Sequence, residues 1–351
     1  MRDHSVTIAK GIAIMLMVLG HAGCPSYLNT CLGMVRMPLF FFMSGFCFKE
    51  NYLSDTTSYL KRRVTGIYWP YLKWALVFLL LHNLFFRLNI YNEFFEFYGK
   101  VLHPYNLSEI ARRAVDICLK MKGHEQLLGG YWFLKTLFVG SLFFYLTRRM
   151  VNSTIAGMVL LISIAVVMSY TGWKIPFFII GAKEFLGAFY LMAGHAYHSY
   201  QLQWHENKTF LAFTILLVCI GAIYWPASML KLSYIKVLPY AITSICGTLA
   251  LFRLGEWIRD KKDLAVTRLM IYTGGYTFNV LTWHFLSLKL VSLLLIALYG
   301  LPIKQLSEFP VIEEYAHQGW WILYFCVGVG IPILGTYGYH RLKESILCNT
   351  Q

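Results

Sequence analysis

Apolar runs long enough to cross a bilayer recur from one end of this chain to the other. Crossing about 30 Å of hydrocarbon takes about 20 residues of helix. Val6 to Gly23, Leu32 to Phe48, Gly129 to Leu146 and Phe210 to Trp225 approach or meet that length. The 351 residues are 58% hydrophobic and only 14% charged, where a soluble domain has about a quarter of its residues charged. These runs leave no room for a soluble domain. The expected fold is an all-α polytopic membrane bundle, a single domain over residues 1–351.

Hydropathy and punctuation together predict about ten spans, near residues 6–23, 32–48, 67–88, 129–147, 154–172, 176–197, 209–226, 235–253, 272–298 and 319–340. The first run contains Lys10 and leads straight into the second, without a small-residue cleavage site. It is therefore expected to stay as the first helix rather than leave as a signal peptide. The net charge of +14 raises nucleic acid as a partner, but the basic residues are dispersed at span ends, which fits membrane topology instead. Lys49, Lys61, Arg62 and Arg63, then Arg148 and Arg149, then Arg253, Arg259, Lys261, Lys262 and Arg268, and finally Arg341 and Lys343 fall on one side. The short loops on the other side are nearly bare, so both termini are expected in the cytoplasm.

One outer loop, Asn89 to Leu128, dissents with Lys100, Arg112, Arg113, Lys120 and Lys122. Its segment LSEIARRAVDICLKM sets Ile110, Ala114, Ile117, Cys118 and Met121 at helical spacing opposite the charges. This predicts an amphipathic surface helix near 107–122, N-capped by Ser108, lying on membrane lipids or over a cavity mouth. The eight cysteines show no CxxC pair and no zinc spacing. Cys24 and Cys31 flank a short loop, either as a disulfide or as two free thiols.

A titratable group at membrane depth is costly and usually faces a bundle interior or a wet cavity. Lys10 and His21 stand eleven residues apart, three helical turns within about 20°, so they share a face and lie about 16 Å apart along the axis. Lys10 is either a snorkelling residue or a cavity cation, and His21 either bonds a backbone carbonyl at a helix end or acts as a base. In VRMPLFFFMSGF, Arg36 falls near the level of His21, where a guanidinium either contacts lipid headgroups at the interface or orients an acceptor or stabilises an oxyanion. YLKRRVTGIYWPY gathers Lys61, Arg62 and Arg63, a topology signal or a phosphate site. GGYWFLKTLF supplies Trp132, and GGYTFNVLTWHFLSLKL places Asn279 and His284 in apolar surroundings. Glu184, next to Lys183, is either a structural ion-pair partner or a cavity wall. His195 and His198 lack a third ligand at fixed spacing, so no metal is expected.

Taken in order, IAKGIAIMLMVLGHA, RMPLFFFMSGF, KRRVTGIYWPY, GGYWFLKTLF and TWHFL resemble the acyltransferase 3 family of bacterial integral membrane acyltransferases. The branch resembled is that of fucose 4-O-acetylase-like, surface-polysaccharide O-acetyltransferases. The resemblance implies transfer of an acyl group, commonly acetyl from acetyl-CoA, to a sugar hydroxyl of a cell-surface or lipid-linked glycan, at the bacterial inner membrane. It implies His21 as the catalytic histidine, Lys10 as its basic partner, and Arg62 and Arg63 as donor-side residues. Lys10 replaces a frequent arginine, Thr7 a frequent acid, and Arg36 a frequent histidine of that branch. The competing function is a transporter or flippase for a glycan or small anion, with the same polar residues lining a permeation path.

Overall fold

The computed structural model describes residues 4–97, 100–123, 125–176, 178–261 and 264–348. Apart from a two-residue pairing of Glu96–Phe97 with Lys100–Val101, its regular structure is helical. The long elements are α1 (His4–His21), α2 (Ser26–Phe46), α3 (Thr56–Arg87, with a π turn at Val64–Tyr68), α4 (Leu107–Lys120), α5 (Trp132–Met150) and α6 (Thr154–Thr171). They continue with α7 (Ala182–Ser199), α8 (Lys208–Tyr224), α9 (Val237–Asp260), α10 (Ala265–Gly275), α11 (Thr277–Tyr299) and α12 (Trp321–Cys348).

Among the described residues seven helices are long and apolar enough to cross a membrane, those built on α1, α3, α5, α6, α9, α11 and α12. The chain is a helical integral membrane protein. The three remaining predicted segments, α2, α7 and α8, are also helices. For α2 and α7 the weaker hydropathy has a packing cause. Residues 184–197 of α7 are buried all round, and a helix that meets protein on every side has no need of a lipid-facing stripe. The two helices touch backbone to backbone. A Cβ on Gly45 would sit 1.8 Å from the carbonyl oxygen of Leu191, and one on Gly194 2.0 Å from that of Phe42. Small residues at such crossings let membrane helices approach closely.

Three expectations need correction. The predicted segment 272–298 is two helices, because Tyr276 (φ −120°, ψ 31°) breaks the chain between Gly275 and Thr277. The segment predicted from 176 becomes helical only at Ala182, after a turn bridged between Ile175 and Ile180. The N-cap of α4 is Asn106, not Ser108. The Asn106 side chain accepts from Glu109 N at 2.9 Å, while Ser108 Oγ donates to that same Asn106 oxygen. α4 itself lies where the amphipathic helix is expected and runs antiparallel along α3. Asn83 Nδ2 donates to Tyr105 O at one end and Tyr68 hydroxyl to Cys118 O at the other. Ile110, Ala114, Ile117 and Met121 pack in or against the core, so protein covers that part of the apolar stripe.

Candidate active site

α1 ends at His21 because Gly23, at φ +79°, turns the chain toward α2. The half-buried His21 ring faces a small chamber of about 70 Å³ walled by Met17 and His21 of α1, Gly33, Arg36 and Met37 of α2, Gly130 and Trp132 at the start of α5, and Leu281 of α11. The loop Ser228–Leu230, pinned by a Ser228–Lys231 bridge, completes the wall. Arg36 reaches the site across Gly20. A Cβ at Gly20 would fall 1.5 Å from Arg36 Nη1, so the guanidinium occupies the space any side chain there would need. Its Nη1 donates to Asn29 Oδ1 at 3.2 Å.

Below lies a second, larger chamber of about 310 Å³, at the lower end of the size range of small-molecule and cofactor sites. Lys10, Arg62 and Arg63 all line it, with Ser44, Gly66, Thr277 and an apolar belt that includes Phe40, Phe133 and Phe278. Arg62 Nη1 donates to Tyr52 hydroxyl at 3.0 Å, and Arg63 Nη1 to Ser44 Oγ at 3.3 Å with its guanidinium over the Tyr59 ring. No Asp or Glu lines either chamber among the described residues. Met17, Met37 and Leu281 belong to both walls, so the two chambers abut at a thioether and leucine neck. Met is a flexible filler of such gaps.

The sequence-predicted residues therefore divide. Lys10, Arg62 and Arg63 come together in one chamber, and His21, Arg36 and Trp132 in the next. His284 lines neither wall but stands beside His21, ring centroids 5.5 Å apart. Glu184 lies away from both chambers. It caps α7 by accepting from Gly181 N (2.8 Å) and ties α7 to α5 by accepting from Thr136 Oγ1 (3.2 Å), with Lys183 Nζ 3.8 Å away. Asn279 donates to Thr336 Oγ1 at 2.9 Å and joins α11 to α12. His195 pairs with Glu50 at 3.0 Å, while the His198 ring packs edge-on against Phe46, so the two do not converge. Cys24 and Cys31 are free thiols.

Several contributors escaped sequence reasoning. Gly20, the neck residues and the loop Ser228–Leu230 carry no chemical signal of their own. The buried Lys289, whose Nζ donates to Glu308 O at 2.6 Å, was legible as a lone ammonium in an apolar run. So was Lys135, which donates to the carbonyl of Phe178. Chemically, the lower chamber gathers three cations, and the upper one an imidazole, a group able to take or give a proton, beside a guanidinium. A family model described as an acyltransferase domain matches residues 3–340. Comparison with curated proteins and with solved structures returns no match.

Proposed function

The chain belongs to the acyltransferase 3 family, whose domain spans nearly all of it, and from that premise we propose that this membrane acyltransferase moves acetyl from acetyl-CoA to a sugar hydroxyl. The acceptor is a cell-surface or lipid-linked glycan, as in the surface-polysaccharide O-acetyltransferase branch. The setting is the bacterial inner membrane, with both termini inside. The observation that carries this reading is the neck: a chamber lined by Lys10, Arg62 and Arg63 shares Met17, Met37 and Leu281 with the chamber of His21 and Arg36.

In this mechanism the donor's phosphates rest on the three cations, which carry charge-assisted hydrogen bonds. Its thioester arm passes the neck and brings the acyl carbon to His21. Lys10 serves as a point charge rather than a planar fork. His21 takes the proton of the acceptor hydroxyl, the oxygen bonds to the acyl carbon, the carbon–sulfur bond breaks, and the CoA thiolate leaves with the proton from His21. The Arg36 guanidinium stabilises the oxyanion that forms on the acyl oxygen. Trp132 offers an aromatic wall to the acceptor.

Membranes given labelled acetyl-CoA should pass label to surface glycan with wild-type protein, and not with His21→Ala. No transfer by the wild type, or equal transfer by His21→Ala, overturns the mechanism. Impaired movement of a glycan or small anion without any acyl transfer would assign the chain to transport.

A further inference from the structure

A second imidazole stands behind the first. His284 is fully buried, 0% exposed. Its Nδ1 lies 3.0 Å from the carbonyl oxygens of both Val280 and Leu281. A carbonyl only accepts, so Nδ1 carries the proton and, in the neutral ring, Nε2 is a bare lone pair. That nitrogen is buried and has no hydrogen-bond partner among the described residues. Leaving a buried acceptor unpaired costs about 1–3 kcal/mol, and such an exception in a native structure calls for a reason.

The surroundings supply one. The His21 and His284 rings are neighbours, centroids 5.5 Å apart and inclined by 32°, with no hydrogen bond between them among the described residues; a rotation of the His21 ring is what brings one of its nitrogens onto Nε2. Phe285 packs against both, 4.8 Å from His21 and 3.9 Å from His284, and Phe309 backs Phe285 at 4.6 Å. Gly130 flanks the other side, where an added Cβ would be in ordinary van der Waals contact with His284 Cε1 at 4.0 Å. The pair is thus enclosed by apolar rings and glycine.

A histidine that removes a proton through one nitrogen needs its other nitrogen held as N–H by an acceptor, the part a carboxylate plays in hydrolase triads. No carboxylate lines the His21 chamber among the described residues. A carboxylate beside His21 would also be drawn into an ion pair by Arg36, whereas a neutral imidazole would not. We infer that His284 is the positioning residue for His21: its Nε2 accepts the N–H of His21 and fixes the tautomer in which the opposite nitrogen meets the acceptor hydroxyl. The proton taken from the hydroxyl stays on His21 until the CoA thiolate removes it, and His284 keeps its own proton on Nδ1 throughout.

This inference rests on His21 being the base. His284→Phe keeps the ring and deletes the lone pair. It is expected to lower kcat by at least about 10-fold, the lower bound seen when a partner orienting a metal-bound histidine is lost, with acetyl-CoA affinity, acceptor KM and thermal stability in detergent unchanged. His284→Gln restores an acceptor oxygen near the Nε2 position and is expected to recover part of kcat. Wild-type kcat in His284→Phe overturns the inference, as does equal loss in the Phe and Gln variants. If His21→Ala itself retains transfer, the base assignment has failed instead, an outcome the His284 variants do not produce.

Discussion

The two chambers share three walls and differ in nearly everything else. In the lower one, Lys10, Arg62 and Arg63 have no carboxylate within ion-pair distance among the described residues; the two arginines each hold one neutral hydroxyl. In the upper one, Arg36 is seated on Gly20 and bonded to Asn29, and His21 is enclosed with His284 and Phe285. Cations left without counter-charges suit a ligand that brings its own negative charge. A base and a guanidinium held by packing suit a reaction that needs fixed geometry. The contrast separates where a donor would be gripped from where a bond would be exchanged.

Variants on the two sides should therefore fail in different ways. The largest effect is expected for His21→Ala: a fall in kcat of about 10²- to 10⁴-fold, the usual worth of a general base, with acetyl-CoA affinity unchanged by equilibrium binding. If affinity falls in step with kcat, the division between chambers collapses. Gly20→Ala comes next, although glycine has no functional group. The added methyl displaces a flexible guanidinium rather than backbone, so the fold should survive while turnover drops about 10²-fold, as when an oxyanion donor is lost. Wild-type turnover in Gly20→Ala would remove Arg36 from the chemistry.

The paired change of Arg62→Ala and Arg63→Ala should weaken acetyl-CoA binding by about 10- to 100-fold, since a hydrogen bond to a charged group is worth about 1.5–3 kcal/mol. Transfer at saturating donor should persist, and raised salt should weaken wild-type binding more than that of the double variant. Unchanged affinity would leave the pair as a topology signal. The smallest effect belongs outside both chambers. Asn106→Ala should destabilise α4 by about 0.5–2 kcal/mol, measured by thermal melting, with donor affinity intact. The contact with His103, ahead of the Asn106 backbone bond, holds the Glu109 carboxyl below its usual range. The stability this adds is present above the unfolded carboxyl value and is lost as pH falls through the folded one. Melting that is flat with acidification in this region would contradict the pairing of Glu109 with His103.

How far these features were legible beforehand follows from the range of the interactions. Lys10 and His21 share a face through helical periodicity alone, and Arg36 is brought near by a short loop; both are local. The amphipathic face of α4 was equally local, yet its resting place along α3 was not, because an apolar stripe does not say whether lipid or protein covers it. Glu184 and Asn279 show the same ambiguity. A polar residue in an apolar segment marks a need for a partner, and here the partners are Gly181 and Thr136 in one case and Thr336 in the other. The neck brings Leu281 of α11, far away in sequence, against Met17 and Met37 of the adjacent α1 and α2, and side chains so ordinary announce nothing before the helices meet.

The central claim is that the donor enters on the Lys10 side and the acceptor is modified on the His21 side. Vesicles prepared everted and right-side-out from cells making the protein hold the native acceptor in both cases, and labelled acetyl-CoA does not cross either membrane. Label should appear on glycan in everted vesicles, where the cytoplasmic face meets the added donor, and be absent from right-side-out ones. Label in right-side-out vesicles alone, or equally in both, would contradict a path that crosses the membrane from Lys10 to His21.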